Sequence, residues 1–262
     1  MTLPNDPFLQ TLIARFMQPG VIGMALVGSY SRGLQDKYSD VDLDLFTEVP
    51  GRKPLALHLV DGKLVSLKSI FAADEFSSLT KPEKAVWAVP GLRRMQILFD
   101  ETGEIAKLQQ AAWDFNWSVL QPAANAYAAR KLMGCAEEAQ KIMGGLANQN
   151  ESKVLYAAWG LFAQLTEAII VQQGWMIESE NRYLSIPQEH LGDAHPWVRA
   201  FRLAFGMDVE ATVPAWKMRG LASLDLYEQT AILFEKIIPD DHREVIVNTL
   251  QLIAQFKQED HP

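Results

Sequence analysis

Within residues 27–46, VGSYSRGLQDKYSDVDLDLF, aspartate recurs at every second position as Asp40, Asp42 and Asp44. Side chains alternate across a β-strand, so Val41, Leu43 and Leu45 share one face and the three aspartates share the other, about 6.5–7 Å apart along the chain. Aspartate is disfavoured in strands, and like charges crowded on one face raise each other's pKa. A divalent cation reverses that cost. Hard carboxylate oxygens at this spacing suit Mg²⁺, which prefers to complete its shell with phosphate oxygens and water. Asp40, Asp42 and Asp44 are therefore candidate metal ligands.

The turn ahead of this strand supplies a second kind of chemistry. Gly28 lets the backbone approach a ligand closely and take up unusual torsions. Ser29 adds a hydroxyl, and the N–H groups that follow are placed to open a helical turn, which attracts anions. Arg32 adds positive charge nearby. Preceding turn and aspartate strand together can hold a polyphosphate and the metal that bridges it. Other phosphate loops are excluded: no Gly-x4-Gly-Lys-Ser/Thr segment occurs, and Gly23, Gly28 and Gly33 do not have the dinucleotide-binding spacing. Serine hydrolysis lacks a Gly-x-Ser-x-Gly elbow. His58, His190, His195, His242 and His261 form no metal-ligand pattern and read as loop or surface residues. Cys135 is the only cysteine and reads as a small apolar residue in a helix.

Apolar strand, Gly28-Ser29, about ten residues and then Asp40-x-Asp42 in a second strand resemble the signature of the DNA polymerase beta-like nucleotidyltransferase superfamily. The chain looks most like its small-molecule branch, the aminoglycoside and lincosamide nucleotidyltransferases. The resemblance covers roughly residues 20–110 by motif and continues in architecture, because those enzymes also append a helical domain. It implies that Gly28, Ser29 and neighbouring amides hold triphosphate oxygens and that Asp40 and Asp42 bind Mg²⁺, with ATP the default donor. One family feature is missing. A third carboxylate normally lies on the strand after the hairpin, and aligning from Asp61-Gly62 puts that place near Ser66, with Lys68 on the same face. Three explanations stay open: a glutamate of the helical half, Glu137 or Glu138, supplies the base; one metal suffices and Lys68 replaces the other charge; or nucleotide is bound without turnover.

The elements that must carry these residues follow from periodicity. Phe8–Phe16 reads as an amphipathic helix closed by Pro19-Gly20, and Val21–Val27 and Val41–Phe46 read as strands. Asp61-Gly62 between Leu55–Val60 and Lys63–Lys68 predicts a hairpin, because both turn positions need positive φ. Met95–Phe99 is one more strand. The remainder is helical in period, with helices over about 104–120, 122–146, 151–173, 215–238 and 241–258; residues 174–214 resist assignment. The fold class is α+β: a small mixed-sheet domain, 1–112, carrying nucleotide and metal, followed by a helical bundle, 113–262, that binds the acceptor. Trp113 and Trp117, four apart, are expected on one helix face as packing residues. Trp87 is a lesser candidate for an aromatic wall, and Arg93-Arg94 read as a solvated pair that could steer phosphate.

Bulk properties narrow the partners. The chain has 262 residues, 48% hydrophobic and 21% charged, normal for a globular protein. The net charge is −8; residues up to 110 hold 12 basic and 13 acidic side chains, and the rest hold 12 basic and 19 acidic. Such a surface repels long nucleic acids and suits a cationic small-molecule acceptor such as an aminoglycoside. No run is expected to span a membrane, no secretory signal opens the chain, and a single cysteine fits a reducing cytoplasm. The reading that results is transfer of a nucleoside monophosphate, AMP from ATP, to a hydroxyl of a small molecule with release of pyrophosphate. Its rivals are a non-catalytic nucleotide-binding or regulatory protein and a protein adenylyltransferase of toxin–antitoxin type. Acceptor, nucleobase and oligomeric state are open at this level.

Overall fold

Both residues of the Asp61-Gly62 turn have positive φ, 49° and 77°, as a two-residue hairpin requires. That turn joins two strands of a five-stranded sheet in the computed structural model, which describes residues 6–50, 55–208 and 214–259; His261 lies outside them. The chain divides into two compact units. The first runs to Trp117 and also takes in Met176–Glu180; the second comprises Ser118–Trp175 and the chain from Asn181 onward. Compact packing thus divides the chain after Trp117, and a short distant segment joins the N-terminal unit.

In the first unit, helix α1 (Pro7–Phe16) is capped by Asp6, whose carboxylate accepts from the Phe8 N–H at 2.8 Å. Strand β1 (Val21–Val27) ends in a single helical turn, α2 (Gly28–Ser31), and β2 follows (Val41–Thr47). The hairpin is β3 (Leu55–Val60) and β4 (Lys63–Phe71), and β5 is Gln96–Asp100. Strand order is β3-β4-β2-β1-β5, with β2 and β4 parallel and the other pairs antiparallel. The expected mixed sheet in an α+β fold is borne out.

Sequence reasoning missed α3 (Ala72–Ser78) and α4 (Pro82–Arg94). Pro90 reads locally as a breaker, since it lacks an N–H and costs a helix interior about 3 kcal/mol. Here Pro90 sits inside α4, buried with Val86, Val89 and Leu92. Tertiary burial overrides the local penalty. Helix α5 is shorter than expected, Glu104–Trp113, followed by a 3₁₀ turn at Trp117–Val119. Trp113 and Trp117 thus share no helix face, which corrects the expectation. Arg93 instead lies 5.5 Å over the Trp113 ring and donates Nε to the Ala112 carbonyl at 2.8 Å.

Two cores grip the sheet from opposite sides. Val41, Leu43 and Leu45 pack with Leu9, Leu12, Ile13 and Phe16 of α1. Phe46, Ile70 and Ala25 pack on the other side with Leu92, Ile105 and Leu108. Alternation along β2 puts Asp42 and Asp44 on the Phe46 side. Helices α4 and α5 close over the Phe46 end of that face, and the aspartate end stays half-buried.

The second unit is helical: α6 (Gln121–Gly134), α7 (Ala136–Ala147), α8 (Glu151–Gln173), α9 (Ile186–Leu191), α10 (Pro196–Phe205), α11 (Ala215–Phe234) and α12 (Asp240–Gln258). The expected single helix over 122–146 is two, divided at Cys135, which is fully buried. Burial pushes its thiol up to about 12, so it behaves as an apolar residue. Contrary to expectation, α8 is long and apolar enough to cross a membrane, with mean hydropathy 1.6. Most of that stretch is buried within its own unit, as in the core helix of a globular protein.

Candidate active site

Register brings the site residues into two rows across the sheet. Asp42 pairs with Val27 on one side and with Ser66 on the other; Asp44 pairs with Ala25 and with Lys68. Directly paired residues share a face, with neighbouring strands about 4.8 Å apart. The place beside Asp42 where a third carboxylate was sought is therefore held by Ser66, half-buried, and an exposed lysine stands beside Asp44. Asp40 is half-buried and lies one residue ahead of β2.

The glycine turn abuts the aspartates. Gly28 has φ 67°, and a Cβ built on it would come 2.0 Å from Asp42 Oδ2. Only glycine fits that approach, so its backbone lies directly against the carboxylate. Ser29 follows, half-buried, in α2, whose first N–H groups have no acceptor within the turn. Ser31 Oγ donates to the Gly28 carbonyl at 3.1 Å. Lys63, at the start of β4, comes within 5.2 Å of the Tyr30 ring and so adds positive charge beside the turn.

Arg32 has a role that its position in the sequence did not reveal. Its Nε donates to the Gly28 carbonyl at 3.0 Å and its Nη1 to the Glu178 carbonyl at 3.2 Å. It braces the turn and ties the segment Met176–Glu180 to it. That segment brings Glu180, exposed, into the electrostatic surroundings of Asp42. No local signal could have found this segment: Glu178 and Arg32 are 146 residues apart in sequence.

Charge crowding is written into the carboxylates. Burial, Asp40 and Glu180 push Asp42 up to about 6, against the pull of Arg32. Burial pushes Asp44 up to about 7, with Lys68 opposing and Glu75 and Asp42 adding to the rise. Asp42, half-buried and reluctant to ionise alone, is the kind of ligand that a dication stabilises. Among the described residues no group of three or more His, Cys, Asp or Glu side chains stands at metal-ligand spacing. Two carboxylates beside a glycine turn nevertheless fit Mg²⁺, which takes its remaining ligands from phosphate and water.

Glu137 and Glu138 lie in the helical unit at the start of α7. Glu137 pairs with Lys141 at 2.7 Å, which holds its carboxyl below the usual range, and Glu138 lies 3.7 Å from the same lysine. In the same unit Tyr156 and Trp159 form an exposed ring pair with centroids 6.4 Å apart, beside Glu151. Three histidines serve packing and capping: His58 lies against Phe16, His190 stacks on Trp175, and His195 caps α10 by accepting from the Trp197 N–H; His242 lies 3.9 Å from Asp241.

The fold and this pairing of turn with acid strand define a nucleotidyltransferase domain, and residues 10–94 match the family model described as "Nucleotidyltransferase domain". That match supports the resemblance of the N-terminal unit to the DNA polymerase beta-like nucleotidyltransferases. Among solved structures, a nucleotidyltransferase-like protein from Exiguobacterium sibiricum 255-15 shares the fold, with 17% identity and a TM-score of 0.50 over 90% of this chain and 79% of that one. No curated protein matches the chain in sequence.

Proposed function

We propose that the chain transfers a nucleoside monophosphate, AMP from ATP, to a hydroxyl of a small cationic acceptor and releases pyrophosphate. The observation that carries this reading is the close approach of the Gly28 backbone to Asp42 Oδ2, which sets a phosphate-binding turn directly against an acid pair. In it, Asp40 and Asp42 hold Mg²⁺, and Gly28, Ser29 and the first amides of α2 hold triphosphate oxygens. Mg²⁺ when bound supplies charge neutralisation on the triphosphate. Arg32 keeps the turn in place through the Gly28 carbonyl. Ser66 is small enough to leave room beside Asp42, and Lys68 offsets the charge of Asp44. Catalysis of this type is positioning and charge stabilisation in an in-line displacement at the α-phosphorus. The acidic helical half, with the exposed Tyr156–Trp159 pair beside Glu151, supports a cationic acceptor, since rings and carboxylates both attract ammonium groups.

A pyrophosphate-release assay with ATP, Mg²⁺ and a panel of aminoglycosides and related amino sugars tests the reading. Release that needs Mg²⁺ and an acceptor, and that is lost in Asp42→Asn, is the expected result. The serine and lysine at the third-carboxylate place favour one rival, a nucleotide-binding protein without turnover. Binding of Mg·ATP with no release across the panel would establish that rival. Labelled ATP offered to a cell lysate separates protein modification from small-molecule modification.

A further inference from the structure

We propose that strand β3 is a dimerisation edge, paired antiparallel with β3 of a second copy of this chain about a two-fold axis at Leu57. The inference goes beyond the nucleotidyltransferase reading and does not depend on it.

The phase of the hairpin decides which backbone groups β3 has to offer. Val60 pairs with Lys63 across the two-residue turn, and the pair that closes such a turn exchanges hydrogen bonds. Bonded and non-bonded pairs then alternate along the hairpin. Leu59, Leu57 and Leu55, opposite Leu64, Ser66 and Lys68, therefore turn their N–H and C=O groups away from β4. The Leu59 carbonyl fits this phase, since it accepts from Arg15 Nη1 of α1 at 3.3 Å.

Strand β3 ends the sheet, and among the described residues no strand lies beyond it. The leucines that offer backbone groups at this edge also expose their side chains. Leu55, Leu57 and Leu59 are 59%, 62% and 67% exposed, and Leu64, beside Leu59, is 47% exposed. All four lie on one face of the sheet, the face of Ser66 and Asp42. Natural sheets blunt a long apolar edge with charge, proline or a bulge. The sequence of β3, LALHLV, has no Lys, Arg, Asp, Glu or Pro, and its register with β4 is unbroken.

A second copy is the partner that this edge fits, because the strand is its own complement. With Leu57 on the two-fold, Leu57 faces the partner's Leu57 and Leu55 faces the partner's Leu59. Each of these pairs can exchange two hydrogen bonds, so the outward N–H and C=O groups of all three leucines find partners. The Leu59 carbonyl has a second lone pair beside the one that Arg15 uses. On the sheet face the two leucine rows meet and shield each other from water. No like charges within β3 oppose across the seam. The axis runs perpendicular to the sheet, so the five strands of each copy join in one sheet. Both acid strands then keep the same face, about 24 Å apart along it. A seam one strand wide is at the small end of specific interfaces, so the dimer is expected to exchange with monomer, with Kd on the order of 1–100 µM.

Sedimentation of the full chain over about 1–300 µM tests the proposal. The expected result is a concentration-dependent rise from monomer to dimer and no further. Leu57→Lys sets like charges against each other on the two-fold and is expected to raise Kd by at least about tenfold. Its circular dichroism spectrum is expected to match wild type, because the side chain replaced is exposed. An equimolar mixture of Leu57→Lys and Leu57→Glu chains is expected to recover the dimer, because opposite charges then face each other at that position. A wild-type chain that stays monomeric across the range overturns the proposal and leaves the edge to a partner of another kind. So does a dimer that Leu57→Lys fails to weaken, and so does a mixture that stays monomeric, since either result removes Leu57 from the two-fold.

Discussion

Replacing Gly28 by alanine tests the joint between turn and acid strand. Its φ of 67° lies in the left-handed region, where a non-glycine residue costs about 1–2 kcal/mol. The new methyl would also meet Asp42 Oδ2 at 2.0 Å, far inside van der Waals contact. Asp42 must rotate away, and holding a side chain off its rotamer costs a further ~0.5–1.5 kcal/mol. Global stability is thus expected to fall by about 1.5–3.5 kcal/mol in a denaturant titration. The affinity for Mg²⁺ with a non-hydrolysable ATP analogue is expected to fall about 10- to 100-fold, equivalent to ~1.4–2.8 kcal/mol, because the displaced carboxylate no longer meets the metal. Gly33 provides the control. It has the same φ of 67° but nothing within 4 Å of an added Cβ. Gly33→Ala should show only the backbone part of the loss, about 1–2 kcal/mol, and keep binding within about threefold. Equal binding by the two variants would refute the argument that turn and aspartate form one site.

Four further outcomes follow from the same geometry. Asp42 is pushed up to about 6, so protons compete with the metal: binding of the Mg·nucleotide should strengthen as pH rises from 5 to 7, by at most about tenfold per unit, and a flat profile by calorimetry would contradict it. The raised values of Asp42 and Asp44 mean that the folded chain holds more protons than the unfolded one between about 4 and 7. Metal-free stability should therefore decline as pH rises through that window, and Mg²⁺ with nucleotide should offset part of the decline, as thermal melts at pH 5 and 7.5 would show. Ser66→Asp places a carboxylate beside Asp42 in register; it should lower metal-free stability by about 1 kcal/mol and raise Mg²⁺ affinity, and the opposite signs would show that the two positions do not share a face. Cys135, buried with its thiol pushed up to about 12, should resist a thiol reagent at pH 8 until the chain is unfolded.

What the sequence determined by itself is local. The period-2 alternation of Val41, Leu43 and Leu45 against Asp42 and Asp44 named the strand and its acid face, because adjacent side chains must point oppositely. Gly28 and the Asp61-Gly62 turn were legible because positive φ restricts residue choice. Long-range pairing was not encoded in any local period. The parallel β2–β4 register alone put Ser66 beside Asp42 and Lys68 beside Asp44, as the alignment had anticipated but could not establish. Helix α4 was hidden by Pro90, whose penalty only burial could override. That same proline freed the Val86 carbonyl for Ile177, and so the docking of Glu180's segment arises from two stretches roughly ninety residues apart. Tertiary structure decided that much, because a carbonyl left without its helical donor finds a partner in space rather than in sequence.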